Sequence, residues 1–274
     1  MTPALLKIYL HSLIACLMLF LAPLNRAIGE EPNANQDIVS KNQNITTDNQ
    51  MLTVKKISFP CKQPPVKLVE KMLDSLEIPY NDLNSLNWPS QYPYRPQVKF
   101  RIAYSTDEIY LQYIVQERYL RAVYDKDEGS MPYKDSCVEF FIIPSSVDSV
   151  YYNLELNCIA IGTFAGGAKR TERIRFDSSV MSKIRRYSTL GNSGFDTREG
   201  EFEWSLVVAL PIELFSISEI EPLDGRTVKA NFFKCGDDLP ERHYLSWNPV
   251  GTERPNFHTP DYFGNLYFEP KMGN

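Results

Sequence analysis

From residue 97 onward the chain keeps returning to a two-residue alternation of apolar and polar positions, the period of a strand that buries one face. "VKFRIAY" (98–104) and "IYLQYIVQE" (109–117) flank the polar turn "STDE", and "CVEFFIIP" (137–144) and "YYNLELNCIAIG" (151–162) flank "SSVDS". Both pairs read as hairpins. "EFEWSLVVALP" (201–211) sets Phe202, Trp204, Leu206, Val208 and Leu210 against Glu203 and Ser205, which assigns Trp204 to the core. "TVKANFFKC" (227–235) and "GNLYFE" (264–269) add further strands. One segment has the other period. In "PPVKLVEKMLDSL" (64–76), Val66, Val69, Leu73 and Leu76 recur at helical spacing, prolines open the run and Pro79 closes it. The expected fold is all-β, a two-sheet antiparallel β-sandwich with one short helix.

The second hairpin carries the first chemistry. Pairing apolar with apolar places Val138, Phe140 and Ile142 beside Leu154, Leu156 and Cys158. The same register gathers Glu139, Asn153, Glu155 and Asn157 on the opposite face, because a slip of one residue would turn a strand over. Cys137 and Cys158 then point to opposite faces, which argues against a disulfide between them. Two carboxylates and two amides together can hydrogen-bond sugar hydroxyls, since carboxylates accept and amides do both. Two plainer readings stand beside this one: a solvated sheet face, and a retaining-glycosidase pair of Glu139 and Glu155. The second needs a deep site, which flat sandwich faces rarely supply.

The two ends of the domain differ from its middle. Lys7 precedes the apolar run "IYLHSLIACLMLFLAPL", and Ala27 and Gly29 fit the small-residue positions of a cut before Glu30. Residues 1–29 therefore read as an export signal; lipidation at Cys16 within "LIAC" and a retained anchor are the alternatives. Residues 30–50, "EEPNANQDIVSKNQNITTDNQ", are polar and read as a disordered tether, with a glycosylation sequon at Asn44. The sandwich is assigned to residues 51–274. No other segment has the roughly 20 apolar residues of a membrane span. The net charge of −5 comes without a basic block, which sets nucleic acid aside as a partner. Cys61, Cys137, Cys158 and Cys235 follow the signal without CxxC or finger spacing.

Five stretches in order identify a family. "NWPSQYPYRPQVKFRIAY", "KDSCVEFFIIP", "YYNLELNCIAIG", "ANFFKCGDDLPERHYLSWNPV" and "PNFHTPDYFGNLYFE", spread over residues 87–269, resemble the carbohydrate-binding module family 9-like proteins common in the Bacteroidetes. The resemblance implies a sandwich related to DOMON-like domains, a glycan or oligosaccharide as partner, and no catalysis of its own. It implies calcium as a possible loop-bracing ion, and a sugar held between two tryptophans and polar side chains. "SWNP" matches the late tryptophan segment, so Trp247 becomes the candidate platform. Trp88, in a proline-rich loop, is the second ring on offer, with Tyr133 and Phe164 as substitutes. Glu139, Asn153 and Asn157 are the expected polar contacts. His258 is either a sugar contact or a brace for its proline-flanked loop.

Several other features are weighed on the same terms. "DKDEG" (Asp125 to Gly129) clusters acids as a calcium loop does, but without EF-hand spacing. Lys234 and Asp237–Asp238 either line the same edge or form a turn. Arg95 fits a sugar hydroxyl or a carboxylate equally. "GTFAGGAKR" (162–170) reads as a glycine turn, not a phosphate loop. A haem axial pair drawn from His243 or His258 lacks a CxxCH motif. The runner-up to glycan binding is a structural or protein-interaction sandwich that has lost its sugar site, and a glycosidase accessory with hydrolytic activity comes third.

Overall fold

The computed structural model describes residues 50–270. The export signal with Cys16, the sequon at Asn44, nearly all of the tether and the last four residues lie outside the described residues. Strands run β1 (Met51–Lys56), β2 (Asn81–Asp82), β3 (Ser85–Leu86), β4 (Gln97–Tyr104), β5 (Glu108–Ala122), β6 (Cys137–Ile143) and β7 (Tyr151–Asn157). They continue as β8 (Gly162–Gly167), β9 (Ile174–Arg175), β10 (Arg185–Ser188), β11 (Phe195–Pro211), β12 (Thr227–Cys235), β13 (Tyr244–Ser246) and β14 (Gly264–Glu269). The helices are α1 (Val66–Ser75) and the four-residue α2 (Ser178–Met181), which Asp177 caps through the amides of Ser179 and Val180.

The strands hydrogen-bond in the order β10-β11-β5-β4-β1-β14-β12-β6-β7-β8-β9 and curl so that the two halves face each other. Phe100 of β4 stacks on Phe232 of β12 with ring centroids 3.8 Å apart, and the Tyr113 hydroxyl of β5 donates to the Glu139 carbonyl of β6 at 2.8 Å. These contacts cross the sandwich. The inward residues are those the alternation assigns: Val138, Phe140, Leu154, Leu156, Trp204, Leu206 and Val208 share one core. On the outside of the first half, Val69 and Leu73 of α1 pack over Ala103, Tyr110, Val207 and Ala209.

Three expectations are corrected. The sheet is not purely antiparallel, because β1 pairs parallel with both β14 and β4 and stitches the halves together. A second helix exists. The glycine run at 162–167 is strand β8, not a turn. Its glycines are needed for space: a Cβ at Gly162 would lie 1.8 Å from the Glu155 carbonyl oxygen.

The outer face of the second half is not bare. Cys137, Phe141, Tyr151, Phe233 and Cys235 form an outer cluster with Trp88, Tyr244, Val250, Phe257 and Phe263. The last three belong to the loop that runs from β13 to β14, so that loop is a lid of aromatic side chains lying on the sheet. Phe257 stacks on Phe233 at 4.2 Å, and the Trp88 indole donates to the Thr252 carbonyl at 2.6 Å.

Candidate functional site

Between this lid and the end of β6–β7–β8 lies a cleft of about 430 Å³. Its floor comes from the hairpin register derived above: Glu139 pairs with Glu155, Phe141 with Asn153 and Cys137 with Asn157. Thr163 of β8 lies opposite Glu155. One wall carries Arg173, whose guanidinium donates to Asn153 Oδ1 at 2.7 Å and stands 3.9 Å from Glu155 Oε1. The Asn153 amide in turn donates to Glu155 Oε1 at 2.7 Å. The opposite wall is the lid, with Tyr244, Phe257 and His258 facing the floor.

Tyr133 forms the lip. It is 36% exposed and sits in a 3₁₀ turn, Pro132–Lys134. The turn after β12 holds it there: the amides of Asp237 and Asp238 donate to the Tyr133 and Lys134 carbonyls at 2.9 and 3.1 Å. The acidic pair of "KCGDD" thus buttresses the lip by its backbone, and Asp237 also lines the cleft. An exposed ring beside hydrogen-bonding groups is the combination a pyranose presents surfaces for: C–H faces to cover and hydroxyls to bond.

The floor's electrostatics are set by burial. Burial pushes the Glu139 carboxyl well above the usual carboxylate range, and the neighbouring Glu155 charge adds to the shift. Glu155 is raised too, again first by burial, but Arg173 opposes the rise. Arg173 ranks lower among the influences on Glu139, which is therefore the member of the pair shifted further toward its protonated form. A protonated acid donates and accepts, which suits a hydroxyl partner. Burial, then Arg173 and Arg170, hold the His258 imidazole down at about 3, so it is neutral, with Nδ1 3.1 Å from the Tyr151 hydroxyl.

Of the residues expected at a sugar site, Glu139, Asn153 and His258 meet in this cleft. Three do not. Trp247 is 4% exposed and belongs to the main core, edge-on to Phe232 with its six-membered ring against Gly264. The parity of β13 explains this, since Leu245 and Trp247 fall on the inward face and Tyr244 and Ser246 on the outward one. Trp88 is 7% exposed and supports Tyr244 and Phe257 from behind. Asn157 is fully buried, donating to Asp135 and the Tyr124 carbonyl while its Oδ1 accepts from the Ile159 and Ile161 amides. It is a turn brace. Phe164 is a core ring, and Tyr133 is the aromatic that reaches the opening. The alternative of a solvated face does not hold, because the lid lies over it and its side chains are buried. Glu155, Thr163, Tyr244 and Arg173 complete the cleft. Pairing with Glu139 singled out Glu155 in advance, whereas Arg173 had no local signal.

The remaining candidates resolve into structure. Arg95 bonds the Asn84 carbonyl and side chain at 2.9 Å. Lys234 is buried, and it occupies His243 Nε2 at 2.9 Å, which removes that nitrogen from metal or haem ligation. The Asp125–Gly129 loop does not fit calcium, because both carboxylate oxygens of Asp127 are held by Arg186 at 2.9 Å and Oδ1 also accepts from the Gly162 amide. Among the described residues, the one group of metal-capable side chains is Cys137, Glu139 and Cys235.

Sandwich and cleft together define a β-sandwich binding module. The sequence model of carbohydrate-binding family 9 matches residues 67–268. A candidate carbohydrate-binding protein from Bacteroides uniformis shares 42% identity and superposes with a TM-score of 0.77, covering 81% of this chain and all of its own. A family 9 module from Caldicellulosiruptor kristjanssonii, solved with glucose, is 12% identical with a TM-score of 0.52, over 82% of this chain and 98% of its own. The cellotriose complex of a family 9 module from the same organism gives 13% and 0.53, over 82% and 96%. Comparison with curated proteins gives no match. The chain belongs to carbohydrate-binding family 9.

Proposed function

We propose that the cleft under the β13–β14 lid is the sugar site, and that the protein binds glycan there without chemistry. The carrying observation is the juxtaposition of the exposed Tyr133 ring with Glu139, Asn153, Glu155 and Arg173 in one opening. Its volume of about 430 Å³ falls within the roughly 300–1,000 Å³ usual for small-molecule sites. Covering about 100 Å² of a sugar's apolar face contributes about 2.5 kcal/mol, and each hydrogen bond about 0.5–1.5 kcal/mol. After the loss of translational freedom this gives micromolar to millimolar affinity. Such affinity becomes useful when a polymer offers repeated sites.

Glucose and cellotriose, the ligands of the two distant family 9 complexes, are the first probes. Affinity electrophoresis and titration calorimetry should show binding to β-glucan oligosaccharides or to another glycan, and Tyr133→Ala should weaken it roughly tenfold or more. Failure of every glycan to bind at millimolar concentration would favour a sandwich that keeps the fold without the site. Incubation with the bound glycan should release no reducing sugar; release would assign hydrolysis to the Glu139–Glu155 pair instead. We read the first 29 residues as an export signal and the biological setting as polysaccharide recognition outside the cytoplasm. Mass spectrometry of the mature N-terminus tests the cut before Glu30 against lipidation at Cys16.

A further inference from the structure

Cys137 of β6 and Cys235 of β12 face each other across an antiparallel pair, and Glu139 follows two residues along on the same face. Their three ligand atoms all lie within 4.8 Å of one another. Glu139 Oε1 is 3.1 Å from the Cys235 sulfur and 4.0 Å from the Cys137 sulfur. A tetrahedral zinc ion, with Zn–S of about 2.3 Å and Zn–O of about 2.0–2.2 Å, sets its ligands about 3.5 Å apart for S and O and about 3.8 Å apart for two sulfurs. The observed separations bracket the first of these values. The surroundings of the triangle agree with it. The buried Glu139 carboxyl accepts hydrogen bonds from thiols alone, and no lysine or arginine nitrogen lies within 4 Å of it among the described residues. Ionising a carboxyl buried here without a cation is costly, and a dication would supply the missing charge.

We propose that Cys137, Glu139 and Cys235 form a zinc site at the floor of the cleft. Two thiolates and one carboxylate suit zinc and exclude calcium and magnesium, which take oxygen ligands. Cys235 and Glu139 both line the cleft, which supplies an entry path. Zinc sites with three protein ligands keep a fourth position for water or another oxygen ligand, which the cleft would supply. Binding replaces the two thiol protons and the carboxyl proton, so the centre carries a net charge of −1, with Arg173 of the cleft wall and Lys234 of β12 as balancing charges. The site shares Glu139 and the cleft with the glycan reading, but its readout needs no sugar.

The test is cobalt titration of the chain purified under reducing conditions, followed by displacement with zinc. One equivalent should bind, with a thiolate-to-cobalt charge-transfer band and the visible bands of tetrahedral cobalt, and zinc should bleach both. Cys137→Ser and Cys235→Ser should each weaken binding at least tenfold, while Cys61→Ser and Cys158→Ser leave the spectrum unchanged. The wild-type spectrum stands as the readout if a serine variant fails to fold. Absence of a stoichiometric band at tenfold excess cobalt overturns the proposal. So does a thiol count showing that Cys137 and Cys235 are joined as a disulfide in the protein purified without reductant.

Discussion

Burial and the charge of its strand neighbour Glu155 favour the neutral form of Glu139, and the hydrogen bond from the Cys235 thiol opposes them only in part. In the unfolded chain a glutamate loses its proton near 4.3. Above that pH the folded state therefore binds more protons than the unfolded one, and stability falls as pH rises until Glu139 itself ionises. Each pH unit in that window removes about 1.4 kcal/mol per extra proton held. Glu139→Gln should remove this slope. With a chelator present, thermal melts of the variant and the wild type should coincide near pH 4 and separate as the pH rises above it, the variant melting higher. Parallel curves across that range would mean that Glu139 is ionised in the fold. The aromatic residues divide as sharply. Tyr133→Ala should leave the melting temperature nearly unchanged and weaken glycan binding roughly tenfold or more, the effect of losing a covered apolar face. Trp247→Ala should do the reverse, destabilising by about 3–5 kcal/mol while the folded fraction binds as before. Denaturant titration and calorimetry on both variants separate the two roles.

At the scale of the elements, the pairing of β6 with β7 was legible because both strands alternate cleanly and only one register buries every apolar residue. That register brought Glu139, Asn153 and Glu155 together before any coordinates. What covers them was not legible. The β13–β14 loop has no period, and its aromatics have a use only once the outer face of β6 and β12 exists for them to cover. Trp247 was misread because β13 is too short for its alternation to stand out; the same parity, applied from Leu245, places the ring inward. Strand β8 was hidden for another reason. Its glycines signal a turn locally, but a close approach between backbones demands them: Gly162 lies against the Glu155 carbonyl. Gly162→Ala should therefore cost about 1–3 kcal/mol and also weaken glycan binding, because it pushes β8 away from Glu155 and displaces Thr163. Hydrogen exchange should show the lost protection concentrated in β7 and β8. Loss of stability without change in affinity would separate β8 from the site.

The two halves of the molecule are joined by one charged contact inside the apolar core. Lys234 of β12 lies 2.9 Å from Glu117 of β5, and both are fully enclosed. The ammonium donates to the Cys235 carbonyl at 3.0 Å and to His243 Nε2 at 2.9 Å, and it meets Glu117 as an ion pair. Trp204 of β11 donates to the other Glu117 oxygen at 2.8 Å. Burial, then Lys234, hold the His243 imidazole well below its ordinary range, so it stays neutral and can accept from the lysine, while its Nδ1 lies 2.9 Å from the Glu241 carbonyl. Removing one member of such a network leaves the other charge buried and alone, a loss of about 3–5 kcal/mol, whereas removing both charges together is often neutral. Lys234→Met should fall in that range by urea denaturation. Glu117→Gln in the same chain should recover most of the loss, since the glutamine oxygen still accepts from Trp204 and no charge remains. A double-mutant cycle gives the coupling directly. Additive losses, or a Lys234→Met variant as stable as the wild type, would show that the sandwich is held by its apolar core alone. If the cycle recovers, the pair's contribution is to fix how the two sheet halves register on each other, and with them the Tyr113–Glu139 contact that ties the first half to the strand bearing the cleft floor.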